Sequence, residues 1–368
     1  MSLDKRGNMK KKVLIGLSGG VDSSVAADIL VNSGCEITAV TMKIYDEKKY
    51  PNLVKTAGAK SGCFGGDDKK DLIDAENVAK RYNIPFHIID LSSYYQENIL
   101  KYFQDEYLAG RTPNPCIKCN QKVKFGLLLE ESLKLGVEFD CFATGHYARV
   151  EYDDNIGRYL LKKALFVEKD QSYFLSFLSQ KQLSQILLPL GGYTKPEVRA
   201  LARSIGLFTM DKEESQDFYE GDYRDLIERG VKRGNIVDTD GKILGTHDGI
   251  VNFTIGQRRG LGVSSNAPLY VVKLDKDTNE VTVDYEKGLF QDNMIVRDLN
   301  WISIENLKEP IKAKVRIRYR HTESGATIYP EEDGSIKVRF DNPQKAITPG
   351  QAAVIYDGDV VVGAGFIE

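Results

Sequence analysis

The first half of the chain alternates short apolar segments with stretches whose apolar residues recur at helical spacing. The short segments predict buried strands, and Leu72–Tyr82 has the periodicity of an amphipathic helix. The predicted strands are Val13–Leu17, Ile37–Met42, Pro85–Asp90 and Phe139–Thr144. This alternation is typical of a parallel sheet with helices on both faces, where ligands bind at the carboxyl ends of the strands. We therefore predict a Rossmann-like α/β domain over residues 9–208.

The second half has a different pattern, with frequent glycine turns and short strands such as Gly241–Gly245. From about Asn300 onward the pattern is almost purely that of β-structure. We predict a small, mainly β central domain over residues 209–285 and a C-terminal β-barrel over residues 286–368. A length of 368 residues suits two or three domains.

One predicted strand, Lys312–Arg320, alternates cationic and apolar residues without exception. Its cations are Lys312, Lys314, Arg316, Arg318 and Arg320. A period of two places all of them on one face of a strand. That face is either the solvated outside of a barrel or a contact surface for RNA phosphates. We favour the RNA interpretation, because like charges without intervening carboxylates repel one another.

The composition is that of an ordinary globular protein, with 42% hydrophobic and 28% charged residues. No apolar run approaches the roughly 18 residues of a membrane span, and Met1–Asn8 contains no apolar leader. We expect a cytoplasmic protein with no membrane partner. A net charge of −3 argues against a general nucleic-acid-binding surface, so an RNA contact would depend on local positive charge.

The segment Ser18–Ser23 reads Ser-Gly-Gly-Val-Asp-Ser and joins the first predicted strand to the helical stretch Ser24–Asn32. Adjacent glycines let backbone N–H groups approach a phosphate, and the helix N-terminus adds its positive dipole end. Ser18 and Ser23 can donate hydrogen bonds, and Asp22 can hold Mg²⁺ between phosphate oxygens. The Walker pattern is absent. We predict a nucleotide-phosphate loop, with a purely structural turn as the alternative.

The chain has five cysteines, and an odd number in a long chain argues against a disulfide framework. Cys35 and Cys141 lie in apolar runs and are predicted to be core residues. Cys116 and Cys119 follow two prolines, and a helix can begin just after Pro115. That helix would place both thiols on one face of its first turn.

A helix N-terminus and neighbouring cations lower the pKa of a thiol, and the thiolate is the nucleophilic form. The neighbouring cations are Lys118, Lys122 and Lys124. We therefore predict sulfur chemistry at Cys116 and Cys119. An iron–sulfur cluster that also uses Cys63, a structural zinc site and a redox disulfide stay open as alternatives.

Several segments together resemble the tRNA-specific 2-thiouridylases, and the glycine loop resembles the PP-loop of ATP pyrophosphatases. The matching segments are Ser18–Ser23, Thr112–Gly126, Ala143–Arg149, Lys169–Leu175, Lys195–Arg199, Thr254–Gly262 and Thr348–Ala352. The resemblance runs from about residue 12 to the C-terminus. It implies that ATP activates carbon 2 of the wobble uridine of tRNA with release of pyrophosphate. A protein persulfide would then deliver sulfur, giving 2-thiouridine and AMP.

The resemblance also implies roles for individual residues. The ATP site would comprise Gly16, Leu17, Ser18, Gly19, Gly20, Val21, Asp22, Ser23, Met42 and Gly145. The target base would lie beside Asn114, Pro115 and Cys116. Contacts with tRNA would come from His146, Lys169, Asp170, Gln171, Arg318, Tyr319 and Gln351. Cys119 matches the catalytic cysteine near the base. The implied cofactors are ATP and Mg²⁺, and the sulfur donor would be a sulfur-carrier protein or a cysteine desulfurase.

The chain departs from the family pattern at Ser215–Tyr223, where the family usually carries a second cysteine and this segment has none. We hypothesise that Cys116 supplies the missing partner of Cys119, either to carry and resolve the persulfide or to bind a cluster. Another PP-loop activity on tRNA, such as amidation or lysidine formation, is a competing interpretation. A second is a tRNA-binding protein that adenylates but lacks persulfide sulfur transfer.

Overall fold

The computed structural model describes residues 11–46, 48–49, 64, 68–210, 212, 218–219, 221–227 and 231–368. Cys63 and, in the cysteine-less segment Ser215–Tyr223, residues 215–217 and 220 lie outside these residues. The helices are α1 (Val21–Asn32), α2 (Asp68–Tyr82), α3 (Ser92–Tyr95), α4 (Lys101–Leu108), α5 (Pro115–Lys118), α6 (Leu128–Lys134), α7 (Ser172–Leu175), α8 (Gln180–Ser184) and α9 (Lys195–Ser204), with π-helical segments at Gln96–Leu100 and Cys119–Leu127. Single 3₁₀ turns occur at Val167–Lys169, Tyr223–Leu226, Ile250–Asn252 and Glu286–Leu289.

The strands cluster differently in the two halves of the chain. The first half contains β1 (Lys12–Gly16), β2 (Glu36–Lys43), β3 (Phe86–Asp90), β4 (Cys141–Ala143), β5 (Ala148–Asp153), β6 (Arg158–Lys163) and β7 (Ile186–Leu187). The second half contains β8 (Gly234–Val237), β9 (Ile243–His247), β10 (Tyr270–Asp275), β11 (Glu280–Asp284), β12 (Phe290–Trp301), β13 (Ile311–Arg316), β14 (Ser324–Pro330), β15 (Ile336–Lys345), β16 (Ala352–Asp357) and β17 (Val360–Ile367). The four strands predicted in the first half are β1 to β4, with ends within two residues of the prediction.

The described residues within 1–97 and 116–222 form one compact unit built on a parallel sheet. Its strand order is β3-β2-β1-β4-β7, and every pairing is parallel. Strand β1 is buried on both faces, because Val13, Leu14 and Ile15 are at most 1% exposed. This explains why its sequence is a continuous apolar run and not an alternation. The same core includes α1, α2 and α9.

Helix α9 begins with a capping box that fixes its first turn. The Thr194 hydroxyl accepts a hydrogen bond from the backbone N–H of Glu197, and the Glu197 carboxylate accepts one from the N–H of Thr194 at 2.7 Å. Pro196 lies in the first turn, where no N–H donor is needed. The side chain of Lys195 therefore leaves a well-defined helix start.

Residues 98–115 and 223–368 form a second compact unit that contains the β-rich part of the chain. A four-stranded sheet has the order β10-β11-β8-β9. Strands β12-β15-β14-β13-β16-β17 follow one another, and the pairing of β12 with β17 closes them into a barrel. Its interior is filled by aliphatic residues such as Val296, Val315 and Val338, each fully buried. The predicted succession of a parallel α/β sheet, a small β region and a C-terminal barrel is confirmed. No helix among the described residues has the length and apolar character needed to cross a bilayer.

The prediction of a five-cation strand face is wrong. Strand β13 ends at Arg316, and the last two cations lie in the turn that follows it. Arg316 is only 9% exposed; its guanidinium donates to Glu323 at 2.8 Å and lies 5.3 Å from the ring centroid of Tyr356. Only Lys312 and Lys314 project from β13 as exposed cations. The alternation continues in the sequence after the strand because the turn also tolerates polar residues.

Replacing Glu323 by Ala is expected to destabilise the barrel by roughly 3 kcal/mol, since it removes the carboxylate from a largely buried ion pair. Urea denaturation of the full chain measures the change. Glu332→Ala, at an exposed position of the same unit, is the matched control and should stay within about 0.5 kcal/mol of the parent. Equal stabilities for the two variants would contradict a structural role for the pair.

Candidate active site

The glycine loop between β1 and α1 is closed by its own serines. The backbone N–H of Ser18 donates to Oγ of Ser23 at 3.2 Å, and the two hydroxyl oxygens are 3.1 Å apart. Leu17 N–H donates to Val40 O on β2 at 2.9 Å. Helix α1 begins at Val21, three residues earlier than predicted, and no side chain caps its N-terminus. The first N–H groups of α1 are therefore available to an anion.

Gly19 is the one loop position where the backbone conformation and the surroundings both require glycine. Its φ is +69°, and an added Cβ would lie 2.5 Å from the carbonyl oxygen of Asp71 on α2. Lys212 Nζ joins the loop to α2 by three hydrogen bonds. It donates to Gly19 O at 3.2 Å, to Asp71 at 2.8 Å and to Asp74 at 2.6 Å. Burial opposes the charge of Lys212, but the hydrogen bonds to both carboxylates outweigh it and raise the pKa of the ammonium. The loop is thus fixed to α2 by a charged lysine.

Asp22, in the first turn of α1, accepts two hydrogen bonds at one carboxylate oxygen. Lys195 Nζ donates at 2.6 Å and the Tyr147 hydroxyl at 2.8 Å. Lys195 is 6% exposed, and its Nζ lies 5.7 Å from the centroid of the Tyr147 ring. A buried ammonium is thereby held beside the N-terminus of the helix, so two sources of positive potential meet at the loop.

Sequence reasoning identifies neither Lys195 nor Tyr147 as a site residue. Both lie in segments that carry the family resemblance, but nothing in their spacing connects them with Asp22, which is 173 and 125 residues away. Lys212 is missed for the same reason, because it lies 193 residues from Gly19. A signal for them could come only from pairs of residues that vary together among relatives.

The end of β4 abuts the loop at Gly145. A Cβ at this position would lie 2.8 Å from the backbone C of Asp22 and 2.8 Å from the backbone N of Ser23. A Cβ added to Gly16, at the end of β1, would lie 3.1 Å from the ring of Phe142. Met42 is half-buried on β2, two residues beyond Val40. The structure therefore brings the loop and Gly145 together, and it places Met42 at the same sheet edge.

Replacing Gly145 by Ala should displace the first turn of α1 and weaken nucleotide binding about tenfold, with a loss of roughly 1–3 kcal/mol in stability from overpacking. The measurements are ATP affinity by calorimetry and unfolding by urea. Gly192→Ala is the control, because a Cβ there meets no atom within 4 Å. Unchanged ATP affinity in Gly145→Ala would contradict the assignment of this contact to the nucleotide site.

His146 follows Gly145 and is held by Thr144, whose Oγ1 lies 2.7 Å from the imidazole Nδ1. Burial lowers the pKa of His146 well below its usual value, and the charge of Lys124 adds to the effect. The imidazole is therefore neutral at pH 7. It would meet RNA as a neutral hydrogen-bonding group and not as a cation.

The contact with tRNA expected of Asp170 stays a prediction, and the structure shows that its side chain is held inside the protein. Asp170 is 1% exposed, and its carboxylate accepts hydrogen bonds from Ala164 N–H at 3.1 Å, Ser172 N–H at 3.1 Å and Ser172 Oγ at 2.8 Å. Its side chain organises the loop that precedes α7. A buried carboxylate satisfied by three donors cannot reach a ligand in this conformation. Lys169 and Gln171, on either side, are half-exposed.

The cysteine helix begins at Pro115, in agreement with the predicted start. It continues beyond α5 through the π-helical segment Cys119–Leu127 into α6. Cys116 is half-buried and Cys119 is 8% exposed. Cys141, in contrast, is a core residue of β4, and burial raises the pKa of its thiol. Wide π-helical turns recur at functional sites, because they change the direction of side chains within a continuous helix.

Within the first unit, hydrogen bonds connect the cysteine helix with Asp22, at the end of the glycine loop. Asn120 Nδ2 donates to Phe174 O at 3.2 Å, so the helix is fixed to α7. Gln171, immediately before α7, accepts from the Tyr147 N–H at 2.9 Å, and the hydroxyl of Tyr147 donates to Asp22. The thiols and Asp22 therefore belong to one connected framework.

Gln351, expected to contact tRNA, holds a neighbouring backbone segment in the second unit. Its Nε2 donates to Thr112 O at 2.9 Å and to Pro113 O at 3.3 Å. Thr112 N–H donates to Pro349 O at 2.8 Å. The side chain of Gln351 thus positions the residues just before Asn114. Arg318 and Tyr319 are half-buried in the turn after β13.

No group of three or more His, Cys, Asp or Glu side chains within the described ranges is arranged to hold a metal ion. Asp22 is a single carboxylate whose side chain is 29% exposed. Mg²⁺ at nucleotide sites commonly uses one or two protein carboxylates together with phosphate oxygens and water. The donor set at Asp22 therefore fits a magnesium–nucleotide complex.

The fold and the site define a class: a nucleotide-binding α/β domain followed by two β domains. Residues 11–219 match the family described as "tRNA methyl transferase HUP domain". Residues 226–284 match "tRNA methyl transferase PRC-barrel domain", and residues 291–367 match "Aminomethyltransferase beta-barrel domain".

Curated relatives narrow this class further. The chain is 45% identical to the tRNA-specific 2-thiouridylase MnmA of Acetivibrio thermocellus, over 98% of this chain and 99% of the relative. It is 48% identical to the tRNA-specific 2-thiouridylase MnmA 1 of Caldanaerobacter subterraneus subsp. tengcongensis, over 98% of both chains. The chain belongs to the tRNA-specific 2-thiouridylase family. Among solved structures, a 4-thiouridine synthetase–RNA complex with bound ATP is 18% identical, with a TM-score of 0.38 over 59% of this chain and 45% of that chain.

Proposed function

We propose that this protein catalyses ATP-dependent 2-thiolation of the wobble uridine of tRNA. The observation that carries the proposal is the ion pair of the buried Lys195 with Asp22 at the N-terminus of α1. Hydrogen bonds connect this pair with the helix of Cys116 and Cys119. This arrangement suits an enzyme that splits ATP and then uses a thiol. The relatives described above are named for the same class of reaction.

In the first step, the oxygen on carbon 2 of the uridine attacks the α-phosphorus of ATP. A carbon–oxygen–phosphorus link forms and the α–β phosphoanhydride bond breaks, releasing pyrophosphate. The loop from Gly16 to Ser23, with Met42 and Gly145, would surround the phosphates. The fixed charge of Lys195 and the N-terminus of α1 would stabilise the negative charge that develops on the leaving group. Mg²⁺ held by Asp22 would neutralise phosphate charge.

In the second step, a persulfide on Cys119 would attack the activated carbon 2, and AMP would leave. The thiolate of Cys116 would then attack Cys119, breaking the sulfur–sulfur bond and leaving 2-thiouridine together with a Cys116–Cys119 disulfide. A thiol reductant would restore both cysteines before the next persulfide arrives. Three residues along a helix bring two side chains close enough for this exchange. The persulfide would come from a sulfur-carrier protein or a cysteine desulfurase.

The tRNA contacts are proposed at three places. Asn114, Pro115 and Cys116 would border the target base. His146, Lys169 and Gln171 would contribute from the first unit, with Asp170 shaping their loop. Arg318 and Tyr319 would contact tRNA from the barrel, and Gln351 would support the base-binding segment from behind. The proposal also includes three domains, over residues 9–208, 209–285 and 286–368. It places the protein in the cytoplasm, where tRNA and ATP are available.

The experiment is a mass analysis of wobble nucleosides from tRNA incubated with ATP, Mg²⁺, a cysteine desulfurase with cysteine as the persulfide donor, a thiol reductant and the full chain. AMP and pyrophosphate are measured in parallel. We expect 2-thiouridine together with both ATP products. AMP and pyrophosphate without sulfur in the RNA would favour an adenylating protein that lacks sulfur transfer. Absence of all three products would contradict the proposal. An anaerobic visible spectrum of the purified chain tests for an iron–sulfur cluster.

A further inference from the structure

The segment from Thr254 to Val271 in the second unit has no part in the reaction described above. It is a long loop closed at its base by two backbone hydrogen bonds, from Gly256 N–H to Val271 O at 2.8 Å and from Val271 N–H to Gln257 O at 3.0 Å. Leu261, near its tip, is only 7% exposed and anchors the loop to the protein. The loop is therefore an ordered loop, with its ends joined by hydrogen bonds and its tip packed against the protein.

This loop surrounds a groove of about 440 Å³ that has the features of an anion site. Arg258 lines the groove together with most of residues 260–269, and this lining contains no carboxylate. Gly260 and Gly262 have φ values of +76° and +69°, the conformation in which successive N–H groups turn towards one side. Within the described part of the chain, the N–H groups of residues 260–266 donate no hydrogen bond. Charge and backbone donors thus converge on an open, polar groove.

Arg258, which lines the groove, and its sequence neighbour Arg259 are both exposed. The side chains of Arg258 and Arg259 form no ion pair or hydrogen bond with any other residue that the structure describes. Glu286 pairs with Lys345, and that pairing lowers the pKa of Glu286, with a smaller contribution from Arg258. Lys345 also lies 5.4 Å from the ring centroid of Tyr270. The local balance of charge is therefore positive, although the whole chain is acidic.

A continuous set of hydrogen bonds connects this groove with the segment proposed to border the target base. Oγ1 of Thr254 lies 2.5 Å from Oγ1 of Thr112, two residues before Asn114. The side-chain oxygen of Gln257 accepts from Thr254 N–H at 3.1 Å, and its Nε2 donates to Arg259 O at 3.0 Å. The arginine pair is thus held in a fixed relation to Thr112.

We propose that the groove binds a backbone phosphate of the tRNA substrate, with Arg258 and Arg259 supplying the charge and the 260–266 backbone supplying N–H donors. RNA is favoured over an acidic protein because a run of backbone N–H groups without an acceptor, beside an arginine, suits the several oxygens of one phosphate. It is favoured over a free phosphate because the groove is open and is connected with a segment that would hold RNA. The inference rests on the proposed function for the identity of the RNA.

The test compares tRNA affinity of the full chain and of an Arg258→Gln, Arg259→Gln double variant, by fluorescence anisotropy across a series of KCl concentrations. We expect the affinity of the double variant to fall on the order of tenfold and the slope of log affinity against log salt to decrease by about 1 to 2. Arg233→Gln, an exposed arginine elsewhere in the same unit, should match the parent. Parent-like affinity and slope in the double variant would overturn the inference.

A second arm distinguishes the source of the phosphate. Inorganic phosphate is titrated into the parent and the double variant by calorimetry. If the double variant loses a phosphate-binding heat while keeping parent affinity for tRNA, the groove takes free phosphate and the RNA assignment is wrong. The proposed function is judged separately: a parent chain that forms no 2-thiouridine contradicts the function, whereas the affinity difference in tRNA binding still supports the groove.

Discussion

A Cys119→Ser variant is expected to form no detectable 2-thiouridine while it still releases pyrophosphate from ATP when tRNA is present. The serine hydroxyl cannot carry a persulfide, so thiolation should fall by at least about 1,000-fold. Adenylation uses Lys195, Asp22 and the glycine loop and should stay within a few-fold of the parent rate. The measurement is a paired assay of nucleoside mass and pyrophosphate release.

A Cys116→Ser variant tests whether Cys116 takes the place of the family's second cysteine. If Cys116 resolves the persulfide, this variant also loses thiolation but retains pyrophosphate release. Cys35→Ser is the matched control, because Cys35 is a half-buried cysteine that packs against the α/β core far along the sequence from the cysteine helix. Normal thiolation in Cys116→Ser would contradict the pairing of the two cysteines and would leave Cys119 to work with another thiol.

Lys195→Met is expected to impair the first step of the reaction, whereas the cysteine variants impair the second. Pyrophosphate release should fall by about 100-fold. Lys195 is 6% exposed, and methionine brings no charge to the N-terminus of α1. Methionine fills a similar volume, and Asp22, whose side chain is 29% exposed, can turn to water. The fold should therefore survive with a stability loss of about 1–3 kcal/mol, which urea denaturation measures.

Two controls make the Lys195 result specific. Lys181→Met removes an exposed lysine from α8 and should leave the rate unchanged. Tyr147→Phe removes one hydrogen bond to Asp22 but keeps the ion pair, so its rate should fall by only about tenfold. A Lys195→Met enzyme that releases pyrophosphate at the parent rate would show that this lysine serves only to hold α9 against α1.

Features of this structure can be predicted from the sequence where the interacting residues lie close together along the chain. Strands β1 to β4 are predictable because a buried parallel strand appears as a local apolar run. The glycine loop is predictable because its chemistry is contained within six consecutive residues. The start of the cysteine helix follows from the local effect of Pro115.

Residues that act through distant partners cannot be predicted in this way. Lys195 and Lys212 look like ordinary surface lysines in the sequence, and their roles depend on carboxylates more than 130 residues away. The prediction for Arg316 is wrong because alternation cannot show where a strand ends or that Glu323 will pair with it. The buried position of the Asp170 side chain could not be predicted, because the resemblance identifies a loop and not the direction of each side chain.

The clamp of Lys212 on Gly19 has a consequence for biosynthesis. Its two ends are separated by 193 residues, so a ribosome must complete more than half of the polypeptide before the loop can acquire this restraint. Nascent chains that lack residue 212 would hold the loop by its own serines alone, without the contact to Gly19. Translation itself would thus delay the ability to consume ATP until the segments that supply the thiols have already been made.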